Sequence, residues 1–113
     1  MEKELIIYIC NAGFAYDAME AARQAGARGG TILHGRSSFK KEKKSLLGMQ
    51  LHTEKDCLLI VSLKQDKHTI MNAINAKFGV KSEARGLLFS MKVEDALGMT
   101  FDQDIKDVLE VVA

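Results

Sequence analysis

Gly26-Ala27-Arg28-Gly29-Gly30-Thr31-Ile32-Leu33-His34-Gly35-Arg36, residues 26–36, is the stretch on which the reading of this chain turns. Four glycines and two arginines bracket a short apolar run. Glycine admits positive φ and lets a backbone approach a ligand closely. Backbone N–H groups with arginine nearby suit an anion, most often a phosphate. Gly26 and Gly29 are also explained by a helix end and a tight turn into a strand. Gly35-Arg36 is not, because it stands at the far end of the strand and leads into a lysine-rich segment.

Upstream, Leu5-Ile6-Ile7-Tyr8-Ile9-Cys10 is continuously apolar and reads as a buried central strand. Asn11-Ala12-Gly13 breaks it. Phe14, Ala18, Ala21, Ala22 and Ala25 then recur on one helical face, with Gly26 as the residue just past the helix end. Thr31 to His34 supplies a second strand. The second half repeats the plan. Cys57 to Leu63 is a buried strand, and a helix from about Asp66 carries Ile70, Met71, Ile74 and Phe78 on one face. Gly79 stops that helix, and Gly86 to Met91 is a fourth strand. The order is βαββαβ, a ferredoxin-like α+β sandwich with both helices on one face of an antiparallel sheet. The first and third strands are expected to be neighbours and parallel. Cys10 and Cys57 would then lie at opposite ends, about 15 Å apart, out of reach of a disulfide.

Two segments stand outside the repeat. Residues 37–55 form a long cationic loop after strand two, beginning Ser37-Ser38-Phe39-Lys40-Lys41-Glu42-Lys43-Lys44. A loop of this length inside a compact domain is usually functional or disordered, and a charge run is most often a solvated loop; this one leaves directly from Gly35-Arg36, which favours the functional reading. The apolar patch Leu46-Leu47-Gly48-Met49 suggests that it folds against a ligand or partner. At the other end, Phe101, Ile105, Val108, Leu109 and Val112 fall at helical spacing behind a Thr100/Gln103 capping box, predicting an extra C-terminal helix over 100–113.

The whole chain of 113 residues reads as a single domain. Its 47% hydrophobic and 27% charged content is that of a globular protein. No apolar run approaches the length of a membrane span, so no membrane insertion is expected. The N-terminus lacks a signal-peptide layout, which predicts a cytoplasmic protein. A net charge of +1 argues against nucleic-acid binding. The two cysteines form no CxxC, and no nucleophile–base set or converging carboxylate pair stands out, so no enzyme is expected. Cys10 and Cys57 read as small buried hydrophobes. His34, His52 and His68 are scattered without ligand spacing.

The order of elements, Gly29-Gly30-Thr31 before strand two, Gly35-Arg36 before the loop and Gly86-Leu87-Leu88-Phe89 opening strand four together resemble the nitrogen regulatory PII family. The resemblance is closest to its divergent PII-like signalling branch and spans residues 3–99. It implies a homotrimer that binds an adenine nucleotide between subunits and regulates a protein target, an enzyme or a transporter, through a mobile loop, here 37–55. Gly29 and Thr31 match the family's Gly-x-Thr pattern beside the adenine. Gly35 and Arg36 match the base of the mobile loop, and Gly86 matches the glycine of the second nucleotide-binding loop. Lys81, Ser82 and Arg85 are this chain's own polar groups in that loop.

The departures concern cations. Leu87 replaces the family's usual lysine, and the paired arginines expected near Gly98 and Thr100 are missing. Arg36, Lys81 and Arg85 are the substitutes on hand. Fewer cations favour a ligand with fewer phosphates, so ADP, AMP and cyclic AMP stand beside ATP as candidates. Residues 37–55 hold no tyrosine, which excludes tyrosine uridylylation there; Ser37, Ser38 and Ser45 remain. Lys92 replaces the usual proline before Val93. The rival reading is a trimeric metal-binding or metal-tolerance protein of similar subunit fold, using histidines brought together at an interface. A third is an interaction module that has lost the ancestral ligand site.

Overall fold

A computed structural model describes residues 1–38 and 53–99. Four strands form one antiparallel sheet: β1 (Lys3–Asn11), β2 (Thr31–Arg36), β3 (Glu54–Leu63) and β4 (Leu87–Val93), in the spatial order β2-β3-β1-β4. Helix α1 (Ala15–Gln24) joins β1 to β2. A 3-10 turn (Lys64–Asp66) and helix α2 (Lys67–Phe78) join β3 to β4. This is the expected ferredoxin-like arrangement. Strands two and three run longer than their apolar cores predict, because the residues flanking the long loop extend the ladder: Gly35 pairs with Lys55 and Arg36 with Glu54. Most of the loop over 37–55 and the expected helix over 100–113 lie outside the described residues.

One expectation is corrected. β1 and β3 are neighbours but antiparallel, with Ile9 opposite Cys57 and Cys10 opposite Asp56. The two cysteines therefore lie at the same end of the sheet. They stay apart because Cys10 points to the helix face and Cys57, paired with Ile9, to the other; both are free. Burial raises the pKa of both thiols.

The core fills one side of the sheet. Ile6, Tyr8 and Cys10 of β1 and Leu58 and Ile60 of β3 meet Ala15, Ala18, Met19 and Ala22 of α1 and Ile70 and Ile74 of α2. The alanine face lets α1 lie close against the strands. Each buried isoleucine or leucine contributes about 1.5–3 kcal/mol. At the edge of the core, Lys67 at the start of α2 pairs with the mostly buried Glu4 at 2.7 Å. Helix α1 ends in a Schellman motif: the Gly26 N–H donates to Arg23 O (3.0 Å) and the Ala27 N–H to Ala22 O (2.9 Å), with Gly26 at φ +111°.

The opposite face of the sheet is apolar and open. Cross-strand register places Leu87, Ile9, Cys57 and Leu33 in one row and Phe89, Ile7, Leu59 and Thr31 in the next. Met91, Leu5 and Val61 form a third. Leu33, Leu87 and Met91 are 50%, 58% and 51% exposed. Among the described residues, the apolar run in β1 is thus covered on one side only.

Candidate functional site

Both connections that the sequence singles out leave the same end of the sheet. The segment after β2 departs from Arg36 and returns at Glu54. It is closed at its base by a hydrogen bond from the Ser37 N–H to Thr53 O (2.7 Å). The 79–86 connection runs into Leu87, which pairs with Ile9 near the end of β1. The first turn of α1 begins there too.

Asp56 organises this end on the helix side. Phe14 occupies the N-cap of α1 and has no side-chain oxygen to offer. Asp56, 2% exposed, supplies the cap from β3: its Oδ2 accepts the Gly13 N–H at 2.9 Å, and the Ala15 N–H also bonds to it. Gly13 sits at φ +101°, a conformation that favours glycine. His34 lies opposite Asp56 in the ladder, and its Nδ1 is 2.7 Å from Asp56 Oδ1. Burial alone would raise the Asp56 pKa, but the bonds from Gly13, His34 and Ala15 outweigh it and hold the carboxyl below its ordinary value. Asp56 is therefore ionised at neutral pH. Its Oδ1 accepts the hydrogen bond that His34 donates through Nδ1–H, while the rest of the ring is exposed.

Asn11 organises the other side. Its Oδ1 accepts a 2.6 Å bond from Lys55 Nζ, and its Nδ2 donates to Glu83 O at 2.9 Å. Its backbone N–H donates to Ala84 O at 2.8 Å, while the next N–H, of Ala12, donates to Glu54 O. The 79–86 connection is further tied within itself. The N–H groups of Ser82 and Gly86 and the Ser82 hydroxyl all donate to Gly79 O, and the Arg85 N–H donates to Ser82 O. Arg85 adopts a left-handed φ of 48°, and its guanidinium donates to Val80 O at 3.3 Å.

The eight residues expected to contact a ligand fall into two groups of four. Gly29, Thr31, Gly35 and Arg36 lie on or just before β2, at one edge of the sheet. Lys81, Ser82, Arg85 and Gly86 precede β4, at the other edge. Two strands separate the groups, a span of about 14 Å. One subunit therefore does not bring them together. Arg36 makes an exposed pair with Glu54 (3.2 Å). Lys81 and Ser82 also line an open depression of about 560 Å³ against the end of α2, with Asn75 and Lys77. Gly29 and Gly35 have open space where a side chain would stand. Gly86 does not: a Cβ there would collide with Phe78 O and the Tyr8 ring, whose hydroxyl donates to Phe78 O at 2.8 Å. Gly30 is constrained too, though less tightly, with Met19 Sδ 2.8 Å and Leu59 O 2.9 Å from a Cβ placed on it.

The histidines do not converge within the subunit. His34 lies beside Asp56, and His68 lies past the far end of β3 from it, about 23 Å along the strand. His52 lies outside the described residues. Among the described residues no three His, Cys, Asp or Glu side chains cluster as a metal site, and no helix is long and apolar enough to cross a membrane.

Solved structures share this architecture. A PII-like signalling protein of Thermus thermophilus superposes with a TM-score of 0.57 at 13% identity, covering 82% of this chain and 90% of the other. Arabidopsis thaliana PII bound to citrate gives 0.60 at 17%, covering 81% and 78%. The chain has the PII subunit fold. B. subtilis GlnK in complex with ATP gives 0.59 at 13%, covering 81% and 82%. No protein-family model matches the sequence, and neither does any curated protein.

Proposed function

We propose that this chain is a PII-like regulatory subunit: a homotrimer that binds an adenine nucleotide between subunits and contacts a protein target through segment 37–55, without catalysis. The observation that carries the reading is the division of the expected ligand-contact residues between the opposite edges of one sheet. Gly35 and Arg36 on β2 and Lys81 to Gly86 before β4 can form one site only when the edge of one subunit meets that of another. The open apolar face supplies a reason for subunits to assemble. The PII fold adds to this, since GlnK is seen with ATP and Arabidopsis PII with citrate, both anions.

Ligand in the cleft would contact the base of segment 37–55 at Gly35-Arg36. Differential contact in two arrangements of that segment would then change affinity for the target. Calorimetric titration with ATP, ADP, AMP and cyclic AMP, with and without magnesium, tests the reading. Saturable binding that Arg36→Ala weakens by about tenfold, the size of one charge-assisted bond, supports it. Absence of binding to all four overturns it.

A further inference from the structure

Asn11 is the last residue of β1 and almost fully buried, yet its side chain reaches in two directions. Oδ1 accepts from the Lys55 ammonium at 2.6 Å, and Nδ2 donates to the Glu83 carbonyl at 2.9 Å. Lys55 stands opposite Gly35 in the ladder, at the base of the segment after β2. Glu83 belongs to the connection before β4, at the other edge of the sheet. An amide is the uncharged side chain that offers an acceptor and a donor at once. A carboxylate at position 11 would keep Lys55 and repel the Glu83 carbonyl; an apolar residue would leave both partners unsatisfied.

We propose that Asn11 and Lys55 are positioning residues that join the base of segment 37–55 to the 79–86 connection, so that the two move as one unit. The path is contiguous: Gly35 to Lys55 through the ladder, Lys55 to Asn11 through a charge-assisted bond, Asn11 to Glu83 through its amide, and Asn11 to Ala84 through its backbone. The flanking N–H groups divide the same way, Asn11 toward Ala84 and Ala12 toward Glu54. The consequence for sensing, that a ligand held at one edge alters the loop base at the other edge of the same subunit, rests on the proposed function. The joint itself does not.

Amide hydrogen exchange on the full chain, without ligand, tests the joint. The N–H groups of Ser82, Arg85 and Gly86 are bonded inside the 79–86 connection and report its opening. The Lys55 ammonium bonds to Asn11 and not to these amides, so Lys55→Met should leave them unmoved unless Asn11 transmits the change. The joint predicts about tenfold faster exchange at these three amides in Lys55→Met, with core amides of β1 and β3 unchanged and Lys55→Arg restoring most of the protection. In an Asn11→Ala background, Lys55→Met should add nothing. Unchanged exchange in Lys55→Met overturns the proposal. So does an equal increase in both backgrounds, or a uniform rise across the core, which marks general destabilisation. Asn11→Ser replaces Asn11→Ala if the alanine variant does not fold. Because no nucleotide is present, failure of nucleotide binding and failure of the joint are read separately.

Discussion

Asp56 holds three elements with one carboxylate: the first turn of α1 through Gly13 and Ala15, β2 through His34, and its own strand. Asp56→Asn should cost about 3 kcal/mol in urea unfolding at pH 7, because a buried charge with several donors loses its charge-assisted bonds. The folded carboxyl is held below its ordinary value of 3.8. Its contribution is therefore fully present above that value and lost as pH falls through the lower, folded one. The gap between wild type and Asp56→Asn should close toward pH 3; an equal gap at both pH values would show that charge is not what holds this end together. Two glycines give a second contrast. Gly86→Ala should destabilise by about 3 kcal/mol, since the new Cβ meets backbone and the Tyr8 ring. Gly35→Ala meets nothing and should leave unfolding unchanged, so any loss of nucleotide affinity there reports on the ligand. The polar hubs could not be read from sequence. Asp56 and His34 are 22 residues apart, Lys55 and Asn11 are 44 apart, and no local pattern announces either pair. Gly29, Gly35 and Arg36 stand out in the sequence because glycine and arginine leave a local signature; the packing of Gly86 against Tyr8 leaves none.

At the scale of elements, the helices were readable because their apolar residues repeat every turn and their ends carry glycine. Gly26 is the clearer case: only a residue comfortable at φ +111° completes the two capping bonds to Arg23 and Ala22. Gly26→Ala should lower stability by about 1 kcal/mol, seen as a fall of several degrees in a thermal melt, with the sheet unchanged by circular dichroism. No shift would mean that the cap adds nothing beyond the packing of α1. Strand direction was harder. Two successive βαβ units suggest parallel neighbours, because each unit by itself has parallel strands. The split arrangement places β3 between β1 and β2, and the hairpin-like return from β2 reverses it. Direction is a property of how the halves interleave, which hydrophobic periodicity does not encode.

At the scale of the whole molecule, the described elements cover the sheet on one face and leave the other apolar. Rows through Leu87-Ile9-Cys57-Leu33 and Phe89-Ile7-Leu59 present continuous apolar surface opposite the helices. An apolar run such as Leu5 to Cys10 reads as buried on both sides, and the described elements bury only one side of it. The difference is the surface that assembly would cover, and a face of this kind is the signature of an interaction site. The homotrimer proposed above would account for it and would bring the β2 and β4 edges of different subunits within reach of one another. Phe89 lies on this face, 38% exposed, so changing it leaves the helix-side core intact. Phe89→Glu should place a charge in the buried interface, a loss of several kcal/mol for the assembly and little for the subunit. Light scattering should then find a trimer for the wild type and a folded monomer for the variant. Nucleotide affinity should fall with the trimer, because neither edge carries the whole ligand site. A variant that remains trimeric would move the interface off this face, and a monomeric variant with undiminished affinity would place the site within one subunit.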